Sequence, residues 1–245
     1  MNGLPNALTL EGKQIVITGA AGGIGAEVAR LAAQLGADLV LTDRDGLEPL
    51  KAELEAGGSR VRAQACDISD RHSVEQLIGE AGRIDGLVAL AAMCPWDDWM
   101  EDGWDAVFDE VMHTNVLSVI HCARACLPVM QEQKDGRMVI VSSVAGRMGG
   151  LNASPHYVAS KGGVNTLVKW LARRASPHGV LVNGVAPGAT ASPMTQDQEF
   201  DLSRIPLGRM AEPQEIAWPI VFLLTGAASY MSGTILDVNG GVFMN

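Results

Sequence analysis

A tyrosine and a lysine four residues apart carry the clearest chemistry in this chain. Tyr157 and Lys161 stand at positions i and i+4, which share one face of a helix, so the phenol and the ammonium can occupy one pocket. A free tyrosine has a pKa of ~10 and is a poor base at neutral pH, so it needs a cation beside it that favours the phenolate. With Ser143 a short loop upstream, the pattern predicts a proton-transfer site.

This spacing also occurs on helices that do no chemistry, so a second signal is needed. The helix itself is supported by a stripe of apolar residues after Lys161 at helical spacing, which predicts that it packs on a core. The stripe consists of Val164, Leu167, Val168 and Leu171.

A glycine-rich turn near the start of the chain supplies the second signal. Residues 14–17 predict a strand, residues 18–25 a glycine-rich turn and residues 26–35 a helix. Glycines allow close backbone approach, and the free amides of a helix N-terminus suit a pyrophosphate. A second strand, residues 38–42, ends in Asp43, about 20 residues beyond the turn, where a carboxylate can hold ribose hydroxyls.

With both signals, the chain resembles the short-chain dehydrogenase/reductase family over essentially its whole length. The resemblance implies a catalytic tetrad of Asn115, Ser143, Tyr157 and Lys161. It also implies that a nicotinamide dinucleotide is held by strand ends, by the glycine turn and by two members of the tetrad. The implied cofactor contacts are Gly19, Ala21, Gly22, Gly23, Ile24, Gly25, Asp43, Arg44, Asp67, Ile68, Ala89, Ala91, Tyr157, Lys161, Pro187, Gly188, Thr190 and Ser192.

The reaction that the resemblance implies is hydride transfer between the nicotinamide and a carbinol carbon, with Tyr157 moving the proton. Ser143 would hydrogen-bond the substrate oxygen, and Lys161 would lower the pKa of Tyr157 and bind the nicotinamide ribose. Asn115 would hold a water that links Lys161 to solvent.

One segment departs from the family pattern. After the fourth strand the family usually carries Asn-Asn-Ala-Gly, whereas this chain has Ala89, Leu90, Ala91 and Ala92. The change is expected to alter the bracing of the central sheet and to crowd the backbone near the nicotinamide ribose.

Alternation of strands and helices predicts an α/β fold with a single doubly wound parallel β-sheet and helices on both faces, which is the Rossmann type. The chain has no Pro/Ser-rich linker and no internal repeat, so one dinucleotide-binding oxidoreductase domain over residues 1–245 is expected, with a substrate loop at about 189–210. The remaining predicted strands are residues 60–65, 86–90, 137–142, 180–186 and 234–238.

Composition is that of an ordinary enzyme, with 47% hydrophobic and 19% charged residues. A formal net charge of -10 disfavours nucleic acid and anionic membrane as partners. Residues 1–13 lack a signal-peptide pattern and no apolar run is long enough for a membrane span, so a cytoplasmic location is expected.

Cysteines and histidines do not predict a metal site. Cys122 and Cys126 share a helix face beside His121, but paired cysteines on an apolar helix are usually part of a core, and no metal is expected. His156 precedes Tyr157 and either edges the pocket or packs on a surface or loop, the second being favoured.

Substrate choice is expected to depend on three segments: residues 93–100, 147–150 and 189–210. The tryptophans between Trp96 and Trp104 indicate either an apolar or ring-shaped substrate or else a subunit contact or helix packing. Arg147 would favour an anionic substrate only if it faces inward. A small neutral or apolar, cyclic alcohol or ketone is therefore expected.

The cofactor expected is NAD, because Asp43 would repel a 2′-phosphate, although Arg44 could contact one. Two alternatives stay open: an NADPH-dependent reductase of 3-oxoacyl thioesters on a carrier protein, and a non-catalytic NAD-binding scaffold. Trp170 lies off the apolar stripe of its helix, and family members generally pair such helices, so a homotetramer is expected.

Overall fold

A parallel sheet of seven strands organises the residues that the structure, a computed structural model, describes, which are 6–150 and 152–245. The strands are β1 (Gln14–Thr18), β2 (Asp38–Asp43), β3 (Val61–Ala65), β4 (Gly86–Ala89), β5 (Gly136–Val141), β6 (Val180–Pro187) and β7 (Ile235–Val238). Their order is β3-β2-β1-β4-β5-β6-β7. The chain winds outward from β1 in one direction and from β4 in the other, which confirms the predicted doubly wound, Rossmann-type sheet.

Eight α-helices connect or flank these strands within the described residues. They are α1 (Gly23–Gln34), α2 (Glu48–Ala56), α3 (Arg71–Ala81), α4 (Trp104–Met112), α5 (Ser118–Gln133), α6 (Ala145–Met148), α7 (Pro155–Ala175) and α8 (Pro213–Leu224). A π-helical turn, His113–Leu117, joins α4 to α5. Helix α1 begins earlier than predicted, at Gly23, because Gly22 adopts an extended conformation and serves as its N-cap. None of the described helices combines the length and apolar character that a membrane span requires.

Successive residues of the strands point to opposite faces of the sheet and pack in two separate apolar cores. Ile15 and Ile17 of β1 pack with α1, α2 and α8 on one face, whereas Val16 packs with α3, α5 and α7 on the other. The predicted stripe on α7 belongs to the second core, with Val164 fully buried and Leu167 partly so. Since both faces are covered, the inner strands are mainly apolar, as is usual in parallel sheets, whereas the edge strand β3 carries Arg62 and Gln64 and is only partly buried.

The carboxyl ends of β1 and β4 meet at the point where the winding reverses. Thr18 pairs with Ala89 in the sheet register. The Thr18 hydroxyl accepts the backbone N–H groups of Leu90 and Ala91 at 3.1 and 3.3 Å. It thereby sets the direction in which the chain leaves β4. Ligands of doubly wound sheets bind at this crevice.

Helix α7 is held against the end of β5 by three close contacts. The Ser142 hydroxyl donates to the carbonyl of Lys161 at 3.0 Å, and the Lys161 ammonium donates to the carbonyl of Val141 at 3.0 Å. Gly146 lies against the same turn of α7, where a Cβ would stand 2.4 Å from the Lys161 carbonyl carbon. The position of Lys161 therefore depends on glycine at residue 146.

We predict that Gly146→Ala forces α6 and α7 apart and lowers the free energy of unfolding by roughly 1–3 kcal/mol, because the atoms it would meet are backbone. Gly79→Ala is the matched control. Gly79 is exposed within α3 with no atom near its Cβ position, so this change should be neutral or stabilise by up to ~1 kcal/mol. Urea unfolding of the two variants measures the difference, and equal midpoints would contradict the predicted clash.

Candidate active site

Ser143, Tyr157 and Lys161 line one pocket at the carboxyl edge of the sheet. Ser143 follows β5, while Tyr157 and Lys161 lie one helical turn apart on α7. The Lys161 Nζ is 5.7 Å from the centre of the Tyr157 ring. The Ser143 Oγ accepts the N–H of Ala145 at 3.1 Å, which orients the hydroxyl. The structure thus brings together the three side chains that the sequence indicated.

Burial changes the ionisation of this pair in a way that the sequence pattern did not indicate. Burial raises the pKa of Tyr157, and the hydrogen bond with Ser143 only partly opposes that rise. Burial also lowers the pKa of Lys161 from 10.5 to about 8, because the ammonium is removed from water. The chain's own residues therefore keep the phenol protonated, whereas the resemblance implied that Lys161 lowers the pKa of Tyr157.

Asn115 is buried in the π-helical turn between α4 and α5, a type of distortion that is frequent at functional sites. Its side chain accepts the N–H of Met93 at 2.8 Å and donates to the carbonyl of Met93 at 2.9 Å. It also donates to the Ser160 hydroxyl at 3.1 Å. Asn115 thus ties the segment after β4 to α7, and the water relay to Lys161 stays a prediction.

The glycine turn fits a dinucleotide pyrophosphate. A Cβ on Gly25 would stand 2.0 Å from the carbonyl oxygen of Gly19, so only glycine permits a turn this tight. Gly22 caps α1 without a side-chain hydrogen bond, which leaves the first amides of the helix to a ligand. Gly22, Gly23 and Ile24 line the pocket that contains Tyr157.

Asp43 lies beside the same turn, at the end of β2. Its carboxylate accepts the N–H of Ala21 at 3.1 Å and that of Arg44 at 2.8 Å. The guanidinium of Arg44 belongs to an exposed side chain. Asp67 and Ile68, two further implied cofactor contacts, follow β3, the next strand outward, so they come after Asp43 along the same edge of the sheet.

The other predicted cofactor contacts lie around the same opening. Ala91 faces Gly19 so closely that a Cβ on the glycine would stand 2.8 Å from the Ala91 backbone. Pro187, Gly188, Thr190 and Ser192 all line the pocket, as do Leu90 and Ala92. Since the chain after β4 passes against the turn, the Ala89–Ala92 departure lies where a cofactor would bind.

The pocket as a whole has a volume of about 270 Å³, and beyond Tyr157 its wall is mainly apolar. Burial raises the pKa of the Cys94 thiol to about 12, so this wall residue is uncharged at neutral pH. Asp201 and Arg204 contribute one charge of each sign. The apolar wall residues are Trp96, Met148, Met194, Phe200, Ile205 and Val242.

Three open questions from the sequence are answered by contacts in the structure. Arg147 points away from the pocket and pairs with Asp237 through bonds of 3.0 and 3.1 Å, so it gives no support for an anionic substrate. Two of the tryptophans have different roles. Trp96 lines the pocket, whereas Trp104 stacks on His156 with ring centres 5.3 Å apart. His156 is buried rather than packed on a surface, because Asp97 and Trp104 enclose it.

Some pocket residues had no signal in the sequence. Val242, near the end of the chain, and Ala153, just before α7, have side chains that carry no recognisable chemistry. The cysteines considered as metal ligands, Cys122 and Cys126, are buried in the apolar core. Among the described residues, no group of three or more His, Cys, Asp or Glu side chains is placed to hold a metal ion.

A doubly wound sheet with a pyrophosphate turn and a Ser-Tyr-Lys site defines a class of dinucleotide-dependent oxidoreductases. The family model described as enoyl-(acyl carrier protein) reductase matches residues 19–243. The 3-oxoacyl-[acyl-carrier-protein] reductase of Thermotoga maritima is 36% identical, over 96% of this chain and 99% of its own. An L-rhamnose 1-dehydrogenase (NAD(P)(+)) of Sphingomonas sp. is 33% identical, over 96% and 98%.

Among solved structures, a putative NAD(P)-dependent gluconate 5-dehydrogenase from Beutenbergia cavernae with bound NADP at low occupancy superposes with a TM-score of 0.91. It is 31% identical, over 96% of this chain and 98% of its own. The chain belongs to the short-chain dehydrogenase/reductase family, as the sequence resemblance indicated. It is therefore an oxidoreductase of a family that uses a nicotinamide cofactor.

We predict that Lys161→Met stabilises the protein at pH 7 by on the order of 1–3 kcal/mol while it abolishes activity, because methionine fills the site without a buried charge. The folded-state pKa of Lys161 lies below its ordinary value, so the cost of burial is complete below about pH 8. From there towards 10.5 the unfolded chain binds more protons, so the parent gains stability and the advantage of the variant shrinks.

Urea unfolding at pH 7 and again near the upper end of that range measures this effect. Lys169→Met, an exposed lysine on the same helix, should stay within ~0.5 kcal/mol of the parent at both pH values. A Lys161→Met protein that unfolds at lower urea than the parent at pH 7 would show that the Val141 hydrogen bond outweighs the burial cost.

Proposed function

We propose that the protein transfers a hydride between NAD(H) and a secondary alcohol or ketone, and that the substrate is small and neutral, or apolar and cyclic. The observation that carries this proposal is the convergence of Ser143, Tyr157 and Lys161 on a pocket whose far wall is apolar. A carbonyl placed against the two hydroxyls would direct the rest of its carbon skeleton towards Trp96 and Phe200.

In ketone reduction the buried, protonated phenol of Tyr157 donates its proton to the carbonyl oxygen, while Ser143 donates a hydrogen bond to the same atom. A nicotinamide cofactor, when bound, would supply the hydride in this direction and accept it in the other. Lys161 stabilises the phenolate that is left, and a pKa of about 8 makes it able to exchange protons near neutral pH. Asn115 holds the wall of the pocket against α7 through its hydrogen bonds to Met93 and Ser160.

The glycine turn and Asp43 hold the dinucleotide in this proposal. The first amides of α1 would bind the pyrophosphate, and the Asp43 carboxylate would accept the ribose hydroxyls. The carboxylate is already fixed by the N–H groups of Ala21 and Arg44, so it is aimed before a ligand arrives.

A reductase of 3-oxoacyl thioesters on a carrier protein is the second candidate, favoured by the name of the Thermotoga maritima relative. Such a reductase would need a basic surface on which the carrier protein docks, and a net charge of -10 disfavours the presence of one. A panel of secondary alcohols, ketones and a 3-oxoacyl thioester, followed by nicotinamide absorbance with both cofactors, separates the two. Cofactor binding without turnover of any of them would favour a non-catalytic scaffold.

We also propose a homotetramer. Trp170 is half exposed on α7 with the Arg174 guanidinium 3.7 Å from the centre of its ring, and Tyr230 and Met244 are exposed near the chain end. Light scattering should give four times the monomer mass, and a monomer mass at micromolar concentration would rule the assembly out.

We predict that Tyr157→Phe lowers turnover by at least ~10²-fold while the affinity for NAD changes little, because the ring stays and only the transferable proton is lost. Tyr230→Phe makes the same change on the other tyrosine of the chain, which is fully exposed, and should leave turnover at the parental level. Steady-state kinetics and cofactor titration measure both quantities. Near-parental turnover by Tyr157→Phe would exclude it as the proton donor.

We predict that NAD(H) exceeds NADP(H) by at least tenfold in kcat/KM, equivalent to roughly 1.4 kcal/mol, because a 2′-phosphate would meet the Asp43 carboxylate. Asp43→Ala should narrow the gap by relieving the repulsion while Arg44 remains. Asp45→Ala removes an equal charge from an exposed neighbour and should leave the gap unchanged. Equal or better efficiency of the parent with NADP(H) would assign control of the site to Arg44.

A further inference from the structure

His156 is a fully buried histidine that precedes Tyr157 and does not line the pocket. Its Nε2 lies 3.0 and 3.1 Å from the two carboxylate oxygens of Asp97. Since a carboxylate only accepts, Nε2 carries the hydrogen of this contact. The indole of Trp104 stacks on the imidazole with an interplanar angle of 9°, so the ring is held in one orientation.

The contact to Asp97 is the only hydrogen bond that holds the His156 side chain among the described residues, because its Nδ1 is buried without a partner. A buried ring with one hydrogen bond gains little from its polarity as a core residue, and an apolar side chain would pack there at lower cost. The presence of a polar ring at this buried position is therefore explained by its hydrogen bond to Asp97.

Asp97 ends a short stretch of chain that forms one wall of the pocket. The stretch runs from Met93 to Asp97 and is fixed at both ends, at Met93 by Asn115 and at Asp97 by His156. Between these ends, Cys94 and Trp96 face the pocket. We call residues 93–97 the wall segment.

The wall segment also supports the loop on the opposite side of the pocket. The Trp96 indole N–H donates to the carbonyl of Met194 at 3.2 Å, and the indole packs edge-on against Phe200 with ring centres 6.1 Å apart. Movement of Asp97 would therefore shift the Trp96 ring and the part of the 189–210 loop that rests on it.

The hydrogen bonds that Asp97 accepts also stabilise its charged form. Burial by itself would raise the pKa of Asp97, but hydrogen bonds, above all that from His156, hold the pKa below its ordinary value. Without His156 the carboxylate would lose this partner and turn towards solvent, to which its side chain is already partly exposed.

We propose that His156 is a positioning residue that fixes the wall segment through Asp97 and thereby sets the preference of the pocket for bulky apolar substrates. The inference rests on the proposed function and deepens it. The His156 side chain lies outside the pocket, so its removal should alter which substrates are accepted rather than proton transfer itself.

Two variants of His156 separate positioning from packing. His156→Leu removes the donor, and we expect kcat/KM for an aryl ketone to fall at least tenfold relative to that for a small aliphatic ketone. His156→Gln keeps an N–H donor near the position of Nε2 and should restore most of that ratio. His72→Leu, at an exposed histidine on α3, is the matched control and should leave the ratio unchanged.

Asp97→Ala should reproduce the loss from the other side of the contact, and the double variant should be no worse than either single one, because both remove the same interaction. Asp97→Ala carries the test if His156→Leu fails to fold. An unchanged substrate ratio in Asp97→Ala, or additive losses in a folded double variant, would overturn the proposal.

A second readout needs no substrate. Acrylamide quenching of Trp96, taken as the difference between each protein and its Trp96→Phe counterpart, should rise at least twofold in His156→Leu and stay parental in His156→Gln. If the parent turns over no alcohol or ketone, the proposed function fails while this reading still decides whether His156 holds the wall. Unchanged quenching in His156→Leu would overturn the proposal on its own.

Discussion

Burial of the Lys161 ammonium is the constraint around which the rest of the site is arranged. An ammonium removed from water needs hydrogen-bond partners, and here it donates to the carbonyl of Val141 at the end of β5. Helix α7 must therefore cross the carboxyl edge of the sheet, and the same crossing brings Tyr157 into the pocket. The crossing is close enough that Ser142 bonds the helix backbone and Gly146 has no room for a side chain. The low polarity that lowers the pKa of the lysine also raises that of the phenol, so one act of burial sets the charge of both groups.

The parallel sheet explains how residues from distant parts of the chain reach this crossing. Every strand ends at the same edge, so the turn after β1, Asp43 after β2 and Ser143 after β5 open on one crevice. Two side chains connect the wall segment after β4 to α7 by hydrogen bonds. Asn115 bonds Met93 and Ser160, and His156 of α7 bonds Asp97. The strand ends determine where the reactive side chains lie, and these hydrogen bonds determine the shape of the pocket wall.

The features that could be predicted from the sequence are those that depend on local pattern. Each of the seven strands was expected within a residue or so of its observed bounds, because apolar runs and glycine turns are properties of neighbouring residues. The Tyr157–Lys161 pair follows from helical spacing in the same way. The burial of His156 and the raised pKa of Tyr157 could not be predicted, since each depends on residues brought close only by folding, such as Asp97 and Cys94. Val242 enters the pocket for the same reason.

The departure after β4 shows why a family motif can change while its architecture remains. An amide at the end of a strand needs an acceptor, but the acceptor can come from a neighbouring strand. Here the Thr18 hydroxyl accepts both the Leu90 and the Ala91 N–H groups, so backbone bracing at this point does not require the usual asparagine side chains. The Asn115 side chain holds Met93, the next residue of the segment, by accepting its backbone N–H and donating to its carbonyl. Because these acceptors lie outside the altered motif, apolar residues there leave the sheet intact, and what they change is the surface that a cofactor meets.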